Sequence, residues 1–315
     1  MRSWESHIKG ALTLLELRGE KQLKCDTGLQ MFLDLRTQIV SYLSTSLFVY
    51  FVVDTFQQLV SCLQREAAVP DIITEWSSKA LKYHTEVVYP EDTLTLIAGR
   101  LCAVKGRGDK DPIASIHSLF SITDDLAQWV ENLPEAYGYT AVTAELNHEV
   151  LSGYYHIYQE ESLIEVWNKY RCIAILTNEL ILDHLRAHTV SLNDNSDQFP
   201  VSIKQELESN ILKLSSDICA TVPSLVGFYN KSQTPPKNTS AASDKLIWPL
   251  YVAASMNSTS DRIRDWVAAQ LAQIGPISGT KQAQMLAMML HQKEDIVSWR
   301  MKCTGLGEAT ILCQS

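Results

Sequence analysis

Turn-forming residues are scarce in this chain of 315 residues, which contains 10 prolines and 13 glycines. Together they make up about 7% of the sequence, against an average of about 12% in soluble proteins. This scarcity argues against a turn-rich all-β fold and against extended disorder. We therefore expect a globular, helix-rich protein.

No CxxC pair occurs among the seven cysteines, which stand at positions 25, 62, 102, 172, 219, 303 and 313. An odd, widely spaced set is typical of buried thiols in a reducing compartment, and argues against a disulfide framework or a zinc site. The N-terminal stretch carries charges throughout, unlike a secretory signal. We expect an intracellular protein, nuclear or cytoplasmic.

An excess of basic residues is also missing, since 27 lysines and arginines face 36 acidic residues and the formal net charge is −9. Without a basic run the chain has no electrostatic footprint for duplex DNA, so we expect no direct DNA binding. The most apolar stretch, 47–53, is stopped by Asp54, well short of the roughly 20 residues of a membrane span. It predicts a core helix and no membrane partner.

Apolar residues three and four positions apart dominate the sequence, and few segments alternate strictly. The pattern predicts an all-α fold, a single domain over 1–315 of roughly ten to twelve helices. Gly19 is a natural end for the first helix, and Pro223 should end or kink another. A flexible loop is predicted at 230–245. Further helices are predicted over 45–66, 70–83, 91–105, 112–132 and a long central 161–188.

Two histidines, His184 and His188, stand four positions apart on the predicted central helix, as zinc ligands on one helix face do. However, Leu185 follows the first histidine where an HExxH motif would have glutamate. A pair of histidines near a helix C-terminus, favoured by the helix dipole, is the preferred interpretation. We expect no metal.

The DDLAQ run, which begins with Asp124 and Asp125, faintly resembles the aspartate-rich magnesium site of helical terpenoid synthases. Carboxylates one turn apart would share the metal ions that hold a diphosphate. Here the partner one turn later is Gln128. The preferred interpretation is structural, with Thr123 as helix N-cap and the two acids in the first turn.

An aromatic cluster at 154–158 could line an apolar pocket or simply pack against a partner helix, and we favour packing. Its members are Tyr154, Tyr155, His156 and Tyr158. The GRG at 106–108 and the GLG at 305–307 lack the setting of a phosphate loop and predict turns. No nucleophile signature such as GxSxG is present. Catalytic residues therefore remain unknown, and no cofactor is expected.

Four stretches together resemble the fungal-specific transcription factor domain, the helical regulatory region of fungal zinc binuclear cluster regulators. They are HIKGALTLLELRG at 7–19, EVWNKYRCIAILTNELIL at 165–182, WPLYVAAS at 248–255 and RDWVAAQLAQIGPISGTKQAQMLA at 264–287. In the last stretch we expect a helical hairpin, with Gly275 and Pro276 ending its first helix, and we expect Trp248 to anchor the preceding stretch. The resemblance supplies no catalytic residue.

The six closely spaced cysteines that hold the zinc cluster of such regulators are missing from this sequence. The resemblance therefore implies a nuclear or cytoplasmic regulator of metabolism without its own DNA-binding module, acting through protein partners or self-association. The alternative is a cluster-less relative that binds a small apolar metabolite, or folds it into a reactive conformer as a cofactor-free enzyme of secondary metabolism. A third possibility is an incomplete gene product.

Overall fold

The fold is known from a computed structural model, which describes residues 10, 13–25, 27–29, 31–32, 75, 79, 90–106, 112–144, 150–191, 201–226, 239–278 and 281–292. Of this interpretable part, 83% is helical, and a single two-stranded sheet accompanies the helices. The predicted all-α class is confirmed. Among the described helices there is no candidate for a membrane span.

The helices and strands follow one another in a simple order. Helices α1 and α2 precede an antiparallel hairpin of strands β1 and β2, and helices α3 to α8 follow it. Their bounds are α1 Pro90–Gly106, α2 Pro112–Glu131, β1 Tyr139–Thr143, β2 Tyr154–Tyr158, α3 Glu161–Ser191, α4 Val201–Cys219, α5 Val222–Val226, α6 Thr239–Ser255, α7 Asp261–Ser278 and α8 Lys281–Gln292. Short 3-10 turns occupy Glu20–Lys24 and Glu135–Tyr137.

Helix α3 lies at the centre, where it contacts α1, α2, α4, α6 and β2. Every residue from 171 to 182 is buried. Because a helix turns once in about 3.6 residues, such a run has no solvent-facing side. The apolar stripe predicted for 161–188 is therefore confirmed, and over its middle turns the burial extends all round the helix.

The C-terminal helices pack as the apolar pattern predicts. Helix α6 contacts α3, α4, α5, α7 and α8, and α7 packs along α8. The inward faces of α7 and α8 consist of Ile263, Val267, Leu271, Ile274, Ala283, Leu286, Ala287 and Leu290, all buried. Half-buried Trp248 also packs against this core, as expected.

The first described residues join the same core. Residues 13–18 are helical, and Leu15, Leu23, Leu29 and Phe32 are buried in one cluster with α1 to α8. Gly19 has a φ of 66° and donates its backbone N–H to the Leu15 carbonyl, as a glycine that ends a helix does. The predicted exit at Gly19 is confirmed.

Several boundaries differ from the predictions. Helix α7 does not end at Gly275 and Pro276 but continues to Ser278. A proline inside a helix removes one backbone hydrogen bond and crowds the carbonyl one turn earlier, but the burial of Ile274 and the packing of α7 on α8 offset this local cost. Helix α6 begins at Thr239, so the end of the predicted loop at 230–245 is helical. Its alanines favour a helix once the apolar residues that follow dock in the core.

Pro223 lies in the first turn of α5, just after α4 ends at Cys219. The first turn tolerates proline because its N–H groups have no partner within the helix. The predicted break is thereby confirmed. The segment 45–66 and most of 70–83 lie outside the described residues, whereas the helices predicted at 91–105 and 112–132 are present as α1 and α2.

Candidate functional site

The hairpin places four aromatic side chains on one face: Tyr139, Tyr154, His156 and Tyr158. In its register Tyr139 faces Tyr158 and Ala141 faces His156, and successive strand residues alternate between faces. Tyr139, His156 and Tyr158 therefore point the same way, with the ring centroids of Tyr139 4.3 Å from His156 and 5.2 Å from Tyr158. This face meets α3 and α4.

Arg171 of α3 lies at the centre of this face with only 1% of its surface exposed. Its Nη1 donates to the Tyr158 hydroxyl at 3.0 Å and to the Asn168 Oδ1 at 3.1 Å, and its Nη2 lies 3.3 Å from His156 Nδ1. The guanidinium carbon also stands 5.2 Å from the Tyr139 ring centre. A buried charge is thus held by neutral partners and an aromatic face.

The contact with Arg171 determines which ring nitrogen of His156 carries the proton. A guanidinium can only donate, so His156 Nδ1 must accept, and the ring is neutral with its proton on Nε2. Burial, followed by the charge of Arg171, lowers the pKa of His156 to about 3. The ring therefore stays neutral at physiological pH.

Asp217 of α4 places a carboxylate near this neutral ring. One of its oxygens accepts a hydrogen bond of 2.8 Å from Tyr154 and lies 3.7 Å from His156 Nε2. Burial would lower the pKa of Arg171, but Tyr158, Tyr139 and Asp217 outweigh that effect and raise it. Asp217 thus contributes its negative charge through space, without an ion pair to the guanidinium.

The junction between α4 and α5 holds β2 from the other side. The His156 backbone N–H donates to the Ala220 carbonyl at 2.9 Å, and the Ser224 hydroxyl donates to the His156 carbonyl. Buried Thr221 accepts a hydrogen bond of 3.2 Å from Asn168. The strand is therefore tied to α3, α4 and α5 through both its backbone and its side chains.

Aromatic rings line the contact between α2 and the polar cluster around Arg171, which consists of Arg171, Asn168, His156, Tyr158 and Asp217. Trp167 meets Tyr139 edge-on at 4.9 Å and Trp129 edge-on at 5.8 Å, while Trp129 stacks on Tyr170 at 5.3 Å. The indole N–H of Trp167 donates to the Tyr137 carbonyl at 2.7 Å. The rings exclude water from Arg171 and strengthen its hydrogen bonds.

Chemically, the cluster is a closed network. Burial, partly opposed by Arg171, raises the pKa of Tyr158 to about 12, and Tyr158 and His156 are both neutral near pH 7. The lone pair of His156 Nδ1 faces Arg171 and Tyr158 rather than solvent. This arrangement fits a role in positioning the hairpin against the helices better than proton transfer to a substrate.

The structure brings together three of the four aromatic residues singled out at 154–158. Tyr154, His156 and Tyr158 share the inward face, while Tyr155 lies on the opposite face. They occupy a strand rather than a helix, because tyrosine and isoleucine fit a pleated surface and the tyrosines alternate about His156. Sequence reasoning missed Arg171 and Asp217, although a lone arginine inside an apolar helical run is itself a signal of buried pairing.

Only one histidine of the predicted pair has a described side chain. His184 is buried in α3, and the side chain of His188 lies outside the described set. Within the described part of the chain, no group of three histidine, cysteine or acidic side chains could hold a metal ion. Nearby, burial followed by the charge of Asp183 raises the pKa of Glu179, which also lies 3.6 Å from Arg186.

The proposed N-cap at Thr123 is wrong, because α2 begins eleven residues earlier at Pro112. The Thr123 hydroxyl instead donates to the Leu119 carbonyl one turn back. Asp125 pairs with Arg100 of α1, which gives it a structural partner. Gly106 ends α1, whereas the rest of GRG and all of GLG at 305–307 lie outside the described residues.

None of the described cysteines forms a disulfide. Cys102, Cys172 and Cys219 are buried, and Cys25 is exposed. Burial raises the pKa of both Cys172 and Cys219, so neither thiol is activated. The predicted structural role of these buried thiols agrees with their surroundings, and the other three cysteines lie outside the described residues.

Comparison with known proteins adds no relative: no protein-family model matches the chain, and neither a curated protein nor a solved structure does.

Proposed function

We propose that this chain is a regulatory and interaction protein that resembles the effector domain of a fungal transcriptional regulator of metabolism and acts without its own DNA-binding module. The observation that carries the proposal is the placement of the four stretches that bear the resemblance. They are far apart in sequence, yet each contributes buried side chains to one hydrophobic core.

Within this core the stretch 165–182 forms the buried middle of α3, and 248–255 lies in α6, which contacts α3 directly. The stretch 264–287 forms most of the α7 and α8 hairpin, which packs on α6. Leu15, from the first stretch, is buried in the same cluster. Each stretch thus has a packing role, which supports a helical module that presents surfaces to partners.

The enzyme alternative would place an apolar metabolite among aromatic side chains. In the described cluster, however, the guanidinium of Arg171 lies over both Tyr139 and Trp167, at 5.2 and 5.5 Å from their ring centres. The space that a substrate would need between these rings is filled by the protein itself. The cluster therefore favours the interaction role.

A deletion strain tests the proposal, with transcripts and metabolites measured in the same cultures. We expect a coordinated loss of a set of transcripts, restored by the wild-type gene. Unchanged transcripts together with accumulation of an unconverted intermediate would overturn the proposal in favour of the enzyme. Purified protein should also leave duplex DNA unbound at low salt, where a basic site would bind most tightly.

A further inference from the structure

The two edges of the hairpin differ in what covers them. The Ala144 backbone N–H donates to the Gly153 carbonyl at 2.9 Å, which makes 144 and 153 a hydrogen-bonded pair. Hydrogen-bonded and non-hydrogen-bonded pairs alternate along the strands. The pairs that Tyr139, Ala141 and Thr143 form with β2 are therefore non-hydrogen-bonded. Their backbone N–H and C=O groups point away from β2.

In β2, too, the residues of the non-hydrogen-bonded pairs point their backbone N–H and C=O groups away from the partner strand. There, these groups have hydrogen-bond partners. The backbone N–H and carbonyl of His156, opposite Ala141, point outward and bond to Ala220 and Ser224 at the junction of α4 and α5. The outer edge of β2 is thus covered. On β1, no hydrogen bond to another described residue engages the outward groups of Ala141 and Thr143, and both residues are exposed.

Strand β1 lacks the charge, the proline and the bulge that often protect a sheet edge. Its sequence, YTAVT, contains no charge and no proline, and the structure shows no bulge in its five-residue register with β2. Natural proteins normally block such an edge because it can accept another strand. An edge this free of protection is suited to strand addition.

We propose that β1 pairs, antiparallel and about a two-fold axis at Ala141, with β1 of a second copy of this chain. In this register Ala141 faces its own counterpart and Tyr139 faces Thr143 of the second copy. All three residues have outward groups, so every outward N–H meets an outward C=O. Thr140 then stands across from Val142, a favourable β-branched pair.

A second copy is the partner that the side chains fit, because Thr140 stands opposite Val142 in the two-fold register and no side chain of β1 carries a charge that would repel an identical strand. Each copy has a formal charge of −9, which opposes association over long range. Added salt screens that repulsion, so it should strengthen the dimer.

This inference names one partner for the interaction role proposed above and rests on that proposal only for its biological purpose. Oligomeric state is measured on purified protein, whereas the regulatory role is measured on transcripts. A monomeric protein that still controls transcripts would overturn the strand pairing alone. A dimer without any effect on transcripts would overturn the regulatory role alone.

Sedimentation of the purified full chain at ~1 to ~200 μM tests the pairing, because an interface of this small size associates weakly. We expect a reversible dimer that Ala141→Pro abolishes and Ala141→Ser preserves. Proline removes an outward N–H that the hairpin itself does not use. A monomer at all concentrations, or a dimer indifferent to proline, would overturn the proposal.

Cross-linking locates the axis even if the proline variant fails to fold. In a hydrogen-bonded antiparallel pair the Cα atoms lie about 5.5 Å apart, within the range of a disulfide. Ala141→Cys should therefore oxidise to a covalent dimer, with the linkage assigned by peptide mapping. Thr143→Cys, exposed on the same strand, is the matched control and should not. Equal cross-linking of both variants, or of neither, would contradict the two-fold register.

Discussion

Arg171 Nη2 and His156 Nδ1 lie 3.3 Å apart inside the protein, and this contact assigns the donor and the acceptor of the pair. The arginine stays charged and donates, while the histidine stays neutral and accepts. The cluster is therefore sensitive to acid at one position, since protonation of His156 would place two positive charges side by side without an ion-pair partner for Arg171.

The free energy of unfolding should depend on pH because His156 is neutral in the folded protein. Its pKa is about 3 in the folded protein and near 6.5 in an unfolded chain. Between these values the unfolded state binds the extra proton, so the stability supplied by neutral His156 is lost as the pH falls from 6.5 towards 3. The slope approaches about 1.4 kcal/mol per pH unit.

His156→Gln keeps a hydrogen-bond acceptor but removes the titration. In urea unfolding from about pH 7.5 to about pH 4, the free-energy difference between wild type and this variant should shift against the wild type as the pH falls. Exposed His117→Gln controls for the loss of a histidine as such. A difference that stays constant with pH would show that His156 is not held neutral.

Truncation of Arg171 should be costly. Arg171→Ala leaves a cavity and deprives Tyr158, Asn168 and His156 of their donor, so we expect a loss of about 3 to 5 kcal/mol in the free energy of unfolding. The matched control is Arg100→Ala, which removes a partly exposed arginine paired with Asp125 and should cost at most about 1 kcal/mol. Similar losses in both variants would contradict the central position of Arg171.

The C-terminal hairpin should unfold together with the rest of the core. Leu271 of α7 is fully buried, so Leu271→Ala should cost about 2 to 5 kcal/mol and shift a single cooperative transition. Met288 of α8 is 58% exposed, and Met288→Ala should change stability by no more than about 0.5 kcal/mol. Two separate transitions in calorimetry would show instead that α7 and α8 form an independent unit.

Two glycines should respond to alanine with opposite signs. A Cβ at Gly28 would stand 2.3 Å from the Gln22 backbone oxygen, so Gly28→Ala must shift the chain and should destabilise the protein by about 1 to 3 kcal/mol. A Cβ at Gly99, inside α1, meets no atom within 4 Å. Gly99→Ala should therefore stabilise it by about 0.5 to 1 kcal/mol. Thermal unfolding measures both, and a common sign would contradict the described backbone.

Periodicity predicted most of the helices but not the hairpin. The apolar spacing of α3 and of the α7 and α8 pair is visible in sequence because each helix buries one continuous stripe. The hairpin strands are only five residues long, and the sequence between Thr143 and Tyr154 contains no two-residue hairpin turn signal such as Asn-Gly. Pattern alone therefore left Tyr154 to Tyr158 without a strand assignment.

The polar cluster around Arg171 could not be predicted from the sequence for a different reason. Arg171, His156 and Asp217 come from α3, β2 and α4, and their mutual distances depend on tertiary packing rather than on spacing along the chain. Thr123 shows the converse error: a residue type that often caps helices lies here in the middle of α2, where its hydroxyl bonds back to Leu119.

Transcript levels in a strain that lacks this gene test the regulatory role most directly. We predict the coordinated loss of a group of transcripts, which complementation with the wild-type gene restores fully. Normal levels of every transcript, together with accumulation of an unconverted pathway intermediate in the same cells, would contradict the regulatory role.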